Sequence, residues 1–263
     1  MNTIDGKAIA RTILHDLEGK LGGKKVCFVV FQDEPVIAQF VKRKVSVATA
    51  LGVQTEVLMP GTLDTDAATA YIREISAEYD GIVVQLPLPS DLDTQTVLDA
   101  VPVQKDIDVL STVAKTAYRD GTNSHIPPVA AAVWASLPEK DMTDKNIVIV
   151  GRGRLVGEPV ALMLDRMHVS YESIDLSTDE QTKAALLTSA DIIISGAGSP
   201  HLIKPDMIKE GVVLIDAGTS EQNGKLVGDI DPACYLKASA YTPVPGGIGP
   251  IAVACLFQNL LEK

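Results

Sequence analysis

NIVIVGRGRLVGEP (146–159) decides the fold. Four branched aliphatic residues, Ile147 to Val150, run straight into Gly151, Gly153 and Gly157, and Pro159 stands just inside the segment that follows. A short continuous apolar run suits a strand covered on both faces, as in a parallel sheet. Glycines at a strand's end let the chain turn tightly and let its backbone come close to a ligand. A helix starting there aims its free amide groups into the turn, where they attract a pyrophosphate. The GxGxxxG spacing is one residue longer than the usual dinucleotide fingerprint, but the physical device is the same. Arg152 and Arg154 stand inside the turn, and Asp175 follows Gly151 by 24 residues, at the end of the next apolar run. A carboxylate at that point holds the hydroxyls of an adenosine ribose. The competing reading is a purely structural turn with a chance aspartate downstream.

Outward from this stretch the same scheme repeats. VSYESI (169–174), DIIIS (191–195) and VVLID (212–216) read as further strands of the second half. KVCFVVF (25–31), VQTEVLM (53–59) and GIVVQLP (81–87) read as strands of the first, with helical segments at 36–51 and 65–79 between them. Strands alternating with helices predict right-handed βαβ units and an α/β fold with parallel sheets. The stretch from Pro102 to Pro128, with Gly121, Asn123 and three prolines, is the least regular, and the domain junction is expected there.

Composition narrows the function. The 263 residues exceed what a single core usually organises, so one large domain or two modest ones are expected. With 46% apolar and 22% charged residues the chain is an ordinary globular one, and with 4% aromatics its core is aliphatic. Its 23 basic and 34 acidic residues sum to −11, which argues against nucleic acid and anionic membranes as partners. No uncharged apolar run is long enough to span a bilayer, and the first twenty residues carry charges where a secretion signal is apolar. Cys27, Cys234 and Cys255 are scattered, with no Cys/His cluster to hold a metal, and are expected to be buried thiols of a cytoplasmic protein.

In the first half, Phe40 and Lys44 are four apart on an expected helix and so share a face. Gln85 ends the third strand, where open α/β sheets bind ligands. KDID (105–108) lies in the irregular junction. A lysine, an amide and a carboxylate from three segments would converge on one polar ligand. Each also has a plain alternative: a solvated helix lysine, a strand cap, and a surface turn at Asp106 and Asp108.

The order of these motifs resembles the bifunctional methylenetetrahydrofolate dehydrogenase/cyclohydrolase family. The matching elements are EPVIAQFVKRK with Lys44, GIVVQLPLP with Gln85, PVQKDID with Asp108, VGRGRLVGEP, ADIIISGAGSP, GVVLIDAG, LVGDID and YTPVPGGIGPIAVA. The resemblance implies an N-terminal α/β folate domain, 1–121 plus 248–263, and a C-terminal Rossmann-like domain, 122–247, with a cleft between them. The last helix, 248–262, would cross back to the folate domain. It also implies a homodimer formed through the nucleotide domains. The implied reactions are oxidation of 5,10-methylenetetrahydrofolate with NADP or NAD, and hydration of the methenyl product to 10-formyltetrahydrofolate. Lys44 would move protons in the hydration, Gln85 would position it, and Asp108 would accept hydrogen bonds from the pterin. Phe40 and the turn Val244, Pro245, Gly246 and Gly247 would shape the folate site. Val156, Gly196 and Gly218 would join Gly151, Arg152, Gly153, Arg154, Gly157 and Asp175 around the nucleotide.

The chain also departs from the family's pattern. Phe40 stands where the family has tyrosine, Val109 replaces the glycine of KDVDG, Ala114 and Thr116 replace an asparagine and a glycine, and PPVA (127–130) replaces PCTP. Such changes fit slower hydration, a dehydrogenase alone or an altered substrate; a non-catalytic nucleotide-binding regulator is the reading from another class. At the cofactor, Asp175 and Leu176 replace a histidine and a serine. A carboxylate there favours the free 2′-hydroxyl of NAD over the phosphate of NADP, so NAD is expected to serve at least as well.

Overall fold

The computed structural model describes residues 2–222 and 224–261. The chain falls into two compact units: Thr12–Pro128 with the stretch from Val253 on, and the stretch up to Arg11 with Val129–Ala252. In chain order the elements are β1 (Asn2–Thr3), α1 (Gly6–Leu17), β2 (Lys25–Val29), α2 (Pro35–Ala50), β3 (Gln54–Leu58), α3 (Thr65–Ile75), β4 (Gly81–Val84), α4 (Thr94–Leu98) and α5 (Thr112–Arg119). There follow α6 (Pro128–Ser136), β5 (Ile147–Val150), α7 (Gly157–Arg166), β6 (Glu172–Ile174), α8 (Glu180–Ser189), β7 (Ile192–Ser195) and β8 (Val213–Asp216). The antiparallel pair β9 (Ser220–Gln222) and β10 (Lys225–Val227) precedes β11 (Ala240–Tyr241) and α9 (Ile248–Gln258).

The first unit is built on a parallel sheet in the order β3-β2-β4. Alternate side chains of β2 feed two cores. Val26 and Phe28 pack with Leu17, Leu21, Ile37 and Val41 on one side, and Cys27 and Val29 with Ala68, Ile72 and Tyr79 on the other. The end of α9 closes the first of these cores with Leu256, Phe257 and Leu260. Phe28 and Phe257 are both fully buried, and each such side chain contributes roughly 1.5–3 kcal/mol. Proline at its first positions starts α2, and the Asp64 side chain caps α3 by accepting from the Ala67 amide at 2.8 Å.

The second unit carries a six-stranded parallel sheet in the order β1-β11-β8-β7-β5-β6. From β5 the chain steps outward to β6 and then returns across β5 to β7. The topological switch point therefore lies between the ends of β5 and β7, where doubly wound sheets bind ligands. Both strands are buried along their full length, as their unbroken apolar sequences require.

Three expectations change. Residues 1–11 were assigned to the folate domain, yet Asn2 and Thr3 pair with Ala240 and Tyr241 and so extend the second unit's sheet. The stretch 122–128 clusters with the first unit, because His125 Nδ1 donates to the Asp106 carbonyl (3.2 Å) and the Ile126 amide donates to Asn259 Oδ1 (3.0 Å). The region read as irregular contains α5, whose cap is Ser111, accepting from the Ala114 amide, and whose Ala114 and Tyr118 are buried four residues apart. Residue 262, the end of the expected last helix, and residue 263 lie outside the described residues.

The three cysteines are free and buried, and burial pushes the Cys27 and Cys255 thiols up to about 12. Among the described residues no helix is long and apolar enough to cross a membrane.

Candidate functional site

The turn after β5 is fitted to the loop after β7 with no room to spare. Gly151 has a φ of 94°, and a methyl group on it would lie 2.8 Å from the Gly196 carbonyl oxygen and 2.9 Å from the Ala197 nitrogen. A methyl group on Gly157 would lie 1.9 Å from the Gly151 carbonyl oxygen, and one on Gly196 would lie 2.2 Å from Val156 Cγ1. Gly151, Val156, Gly157 and Gly196 thus interlock at the switch point, whereas Gly153 has ordinary room around it. Helix α7 starts in this turn without a side-chain cap, and the turn closes on itself instead: the Glu158 amide donates to the Gly153 carbonyl at 3.0 Å, and Pro159 brings no amide hydrogen to the first turn. Arg152 is largely exposed, while Arg154 Nη1 is buried without a hydrogen-bond partner. At the end of β6 the Asp175 carboxylate accepts from the Ser177 amide (2.8 Å) and hydroxyl (2.6 Å), and its second oxygen is 3.7 Å from Arg152 Nη1. The Ser177 bonds chiefly, and Arg152 after them, hold its pKa below the usual carboxylate range. Leu176 beside it is fully exposed.

Behind these loops lie two buried carboxylates that sequence reasoning missed. Asp229 accepts from the Ser195 hydroxyl (2.8 Å), the Ala197 amide (2.7 Å) and the Ser199 amide (2.8 Å). Asp216 accepts from the Gly218, Asp229 and Ile230 amides at 3.0, 3.2 and 2.9 Å. Burial first, and the neighbouring Asp229 charge after it, push Asp216 up to about 7 against the pull of those amides. Gly218 packs on the Asp229 carboxylate, where a methyl group would lie 2.2 Å from Asp229 Cγ. The signal was present as an acid directly after an apolar strand in VVLID and a second acid between apolar neighbours in LVGDID.

In the first unit, Lys44 on α2, Gln85 just past β4 and Asp108 do converge. Lys44 Nζ donates to Gln85 Oε1 at 3.2 Å and lies 3.9 Å from Asp108 Oδ2. The Lys44 and Asp108 side chains are only 17% and 21% exposed, so both groups have shed much of their water. Gln85 is fixed at both ends: its backbone amide donates to the Val29 carbonyl at 2.9 Å and its Nε2 donates to the Leu86 carbonyl at 2.8 Å. Asp106 is buried instead and accepts from the Leu110 and Ser111 amides at 3.1 and 2.8 Å, which makes it a turn anchor. Burial raises its pKa, partly offset by the Ser111 bonds. Asn259, also missed, donates from Nδ2 to the Ile107 and Ile126 carbonyls at 2.8 and 2.9 Å and thereby fixes the turn that carries Asp108. Phe40 is half-buried one helical turn before Lys44, with the Arg43 guanidinium 6.0 Å from its ring centre.

The stretch Val244–Gly247 belongs to the second unit. Buried Thr242 anchors it by accepting the Asp216 amide on Oγ1 at 2.7 Å. The Gly247 amide donates back to the Pro243 carbonyl at 2.8 Å, and Gly246 has a φ of 107°. Pro245 carries no amide hydrogen and stands exposed. The Gly247 carbonyl lies against Gly6, where a methyl group would come within 1.9 Å of it.

Known proteins match this chain along its length. Residues 4–108 match the catalytic domain of tetrahydrofolate dehydrogenase/cyclohydrolase, and residues 127–263 match that family's NAD(P)-binding domain. The chain belongs to the tetrahydrofolate dehydrogenase/cyclohydrolase family. A bifunctional protein FolD from Hydrogenobaculum sp. is 35% identical over 100% of this chain and 98% of its own. The crystal structure of the bifunctional FolD of Campylobacter jejuni superposes with a TM-score of 0.92 at 29% identity, covering 99% and 97% of the two chains. That of the Trypanosoma brucei enzyme, solved with NADP and an inhibitor, gives a TM-score of 0.90 at 28% identity over 98% and 95%. Against the family's pattern, Val109 is the departure with a visible cost. It has a φ of 55° and is 1% exposed, so a β-branched residue sits in a backbone region that suits the family's glycine. Ala114 and Thr116 lie on α5.

Proposed function

We propose that the protein oxidises 5,10-methylenetetrahydrofolate to the methenyl form with a nicotinamide nucleotide and hydrolyses the methenyl form to 10-formyltetrahydrofolate. The observation that carries this reading is the meeting of Lys44, Gln85 and Asp108 around one ammonium group, in a chain that matches both domains of the family. The methenyl carbon is cationic and needs no further activation, so hydration turns on moving the protons of the attacking water. Lys44 moves them, and Gln85, locked by its own backbone and side-chain bonds, holds Lys44 where it can. Asp108 accepts the pterin's N–H groups and draws the ammonium group of Lys44 toward the ligand. Phe40 offers its ring face to the aminobenzoyl group.

The glycine turn fits a dinucleotide on two grounds: glycines interlocked at the switch point, where doubly wound sheets bind ligands, and the orphaned Nη1 of Arg154 inside the turn. The nucleotide supplies hydride acceptance. Gly151, Gly157, Val156 and Gly196 shape its pyrophosphate site, Arg152 and Arg154 supply positive charge, and Asp175 takes the adenosine ribose. NAD serves at least as well as NADP. Three features support this: Asp175 is an ionised carboxylate at the ribose position, Arg152 is engaged with it, and Leu176 offers no donor. The family reading further implies a homodimer through the nucleotide units, checked by light scattering on eluting protein.

One coupled assay tests the whole reading. With methylenetetrahydrofolate as substrate, nucleotide reduction reports the oxidation and decay of the methenyl chromophore reports the hydrolysis. Both should proceed above the uncatalysed rates. Nucleotide reduction without accelerated decay would leave a dehydrogenase alone, and neither signal would overturn the proposal. Asp175→Ser should move the ratio of kcat/KM values toward NADP. A wild-type preference for NADP of about tenfold, worth ~1.4 kcal/mol, would refute the cofactor assignment.

A further inference from the structure

The loop Gly196–Ser199 sets the shape of the glycine turn, because Gly151 lies against Gly196 and Ala197, and Gly196 against Val156, with no space for either to shift. That loop makes few bonds of its own: Ala197 and Ser199 are exposed, and both direct their amides inward to one acceptor, the Asp229 carboxylate. A third donor to the same carboxylate, the Ser195 hydroxyl, comes from the end of β7, and Ser195 and Asp229 are both fully buried. Asp229 is itself pinned. Its backbone amide donates to Asp216 Oδ1, its carboxylate lies on the Cα of Gly218, and the Asp216 carboxylate lies in turn on the Cα of Gly228, where a methyl group would come within 2.1 Å of Asp216 Oδ2. Two carboxylates, each seated on a glycine beside the other, form a cross-brace at the carboxyl ends of β7 and β8. The same brace reaches Thr242, which accepts the Asp216 amide, and Val244, whose Cγ2 would lie 2.8 Å from a methyl group on Gly228.

We propose that Asp229 is a positioning residue for the nucleotide: it holds the 196–199 loop against the glycine turn without touching the ligand itself, and Asp216 holds Asp229. The inference rests on the nucleotide reading of that turn. It requires an acceptor that takes three donors at once, which a carboxylate does and an amide does not. In Asp229→Asn one of the two terminal atoms becomes a donor facing N–H or O–H groups, so at least one of the three bonds is lost and a repulsive contact replaces it.

The test separates positioning from mere support of the fold. Binding of NAD⁺ and of NADP⁺ to the full-length protein is measured by calorimetry, alongside steady-state kinetics of both activities. Asp229→Asn should raise Kd and KM for the better-bound nucleotide at least tenfold. Its kcat at saturating nucleotide should stay within threefold, and methenyl hydrolysis, which consumes no nucleotide, within twofold. A residue that only supports the fold would lower the active fraction, so both kcat values would fall together with Kd unchanged; that result overturns the proposal, as does an unchanged Kd with full activity. If Asp229→Asn fails to fold, Ser195→Ala decides, since it removes one donor and leaves the carboxylate in place: a rise in Kd of threefold or more supports the proposal and no rise overturns it. Wild-type protein that binds neither nucleotide would overturn the nucleotide reading and this inference with it, whereas tight wild-type binding unmoved in both variants would overturn the inference alone.

Discussion

Replacing Lys44 by methionine keeps an unbranched apolar stem of similar length and removes the ammonium group. Two interactions go with it: the 3.2 Å bond to Gln85 and the 3.9 Å pairing with Asp108. The first is worth about 1 kcal/mol of net stability, since Gln85 Oε1 is left without its donor. The second, between partly exposed groups beyond hydrogen-bond distance, is worth about 0–1 kcal/mol. A folded domain stable by roughly 5–15 kcal/mol survives a loss of about 1–2 kcal/mol. The catalytic effect is larger: a positioned proton-transfer group contributes about 10²–10⁴ in rate, or roughly 2.7–5.5 kcal/mol of barrier. Lys44→Met should therefore bring methenyl decay down to the uncatalysed rate in a protein whose urea midpoint moves only slightly and whose nucleotide affinity is unchanged. Hydrolysis within threefold of wild type in that folded variant would refute the proton-transfer role. A collapse of stability by much more than the two bonds are worth would refute the reading of their geometry.

Further outcomes follow from neighbouring features. Phe40→Tyr should raise hydrolysis several-fold relative to oxidation, because a hydroxyl one turn before Lys44 adds an orienting bond worth about 1 kcal/mol; a fall in both activities would show a pocket adapted to the phenyl ring. Val109→Gly relieves a left-handed backbone worth roughly 1–2 kcal/mol but exposes the space of a buried valine worth about 1.5–3 and frees the unfolded chain by a further ~0.4–1, so the urea midpoint should fall; a clear rise would mean that strain dominates. Asp216 binds its proton more tightly folded than unfolded, being pushed up to about 7 from 3.8. The stability it contributes is therefore complete at acid pH and declines as pH rises through that window, and Asp216→Asn should flatten the decline between about pH 4.5 and about pH 8. Equal slopes for the two proteins in urea titrations would contradict the raised pKa.

Local signals carried most of what was legible. The strand β5, its glycine turn and α7 are one contiguous stretch, and the forces that shape them act within it. Lys44 lies on a helix, Gln85 just past a strand and Asp108 in the junction, as local sequence indicates, whereas Asp106, readable as a surface turn, is a turn residue that is buried. What escaped depends on distant pairing. Strands β1 and β11 are two residues each and become strands only beside each other and β8, so no periodicity announces them. Helix α5 escaped because prolines and glycines around it outweighed a capped segment of eight residues. Asp216, Asp229 and Asn259 read as unremarkable polar residues, since nearly all their partners are backbone groups, the Ser195 hydroxyl on Asp229 apart, and a sequence does not show which backbone groups will meet.

Neither unit is a contiguous segment of chain. The core around β2 is sealed by Leu256, Phe257 and Leu260, and the Ile107 carbonyl finds its donor on Asn259, 152 positions later. The ribosome therefore makes the body of the first unit long before the side chains that finish it, and it completes the 129–252 body in between. Throughout that interval an apolar face and a backbone acceptor of the first-made part stay open to water or to a chaperone. An excised 12–128 fragment would keep that defect permanently, whereas a circular permutant joining residues 253–261 ahead of residue 12 would remove it.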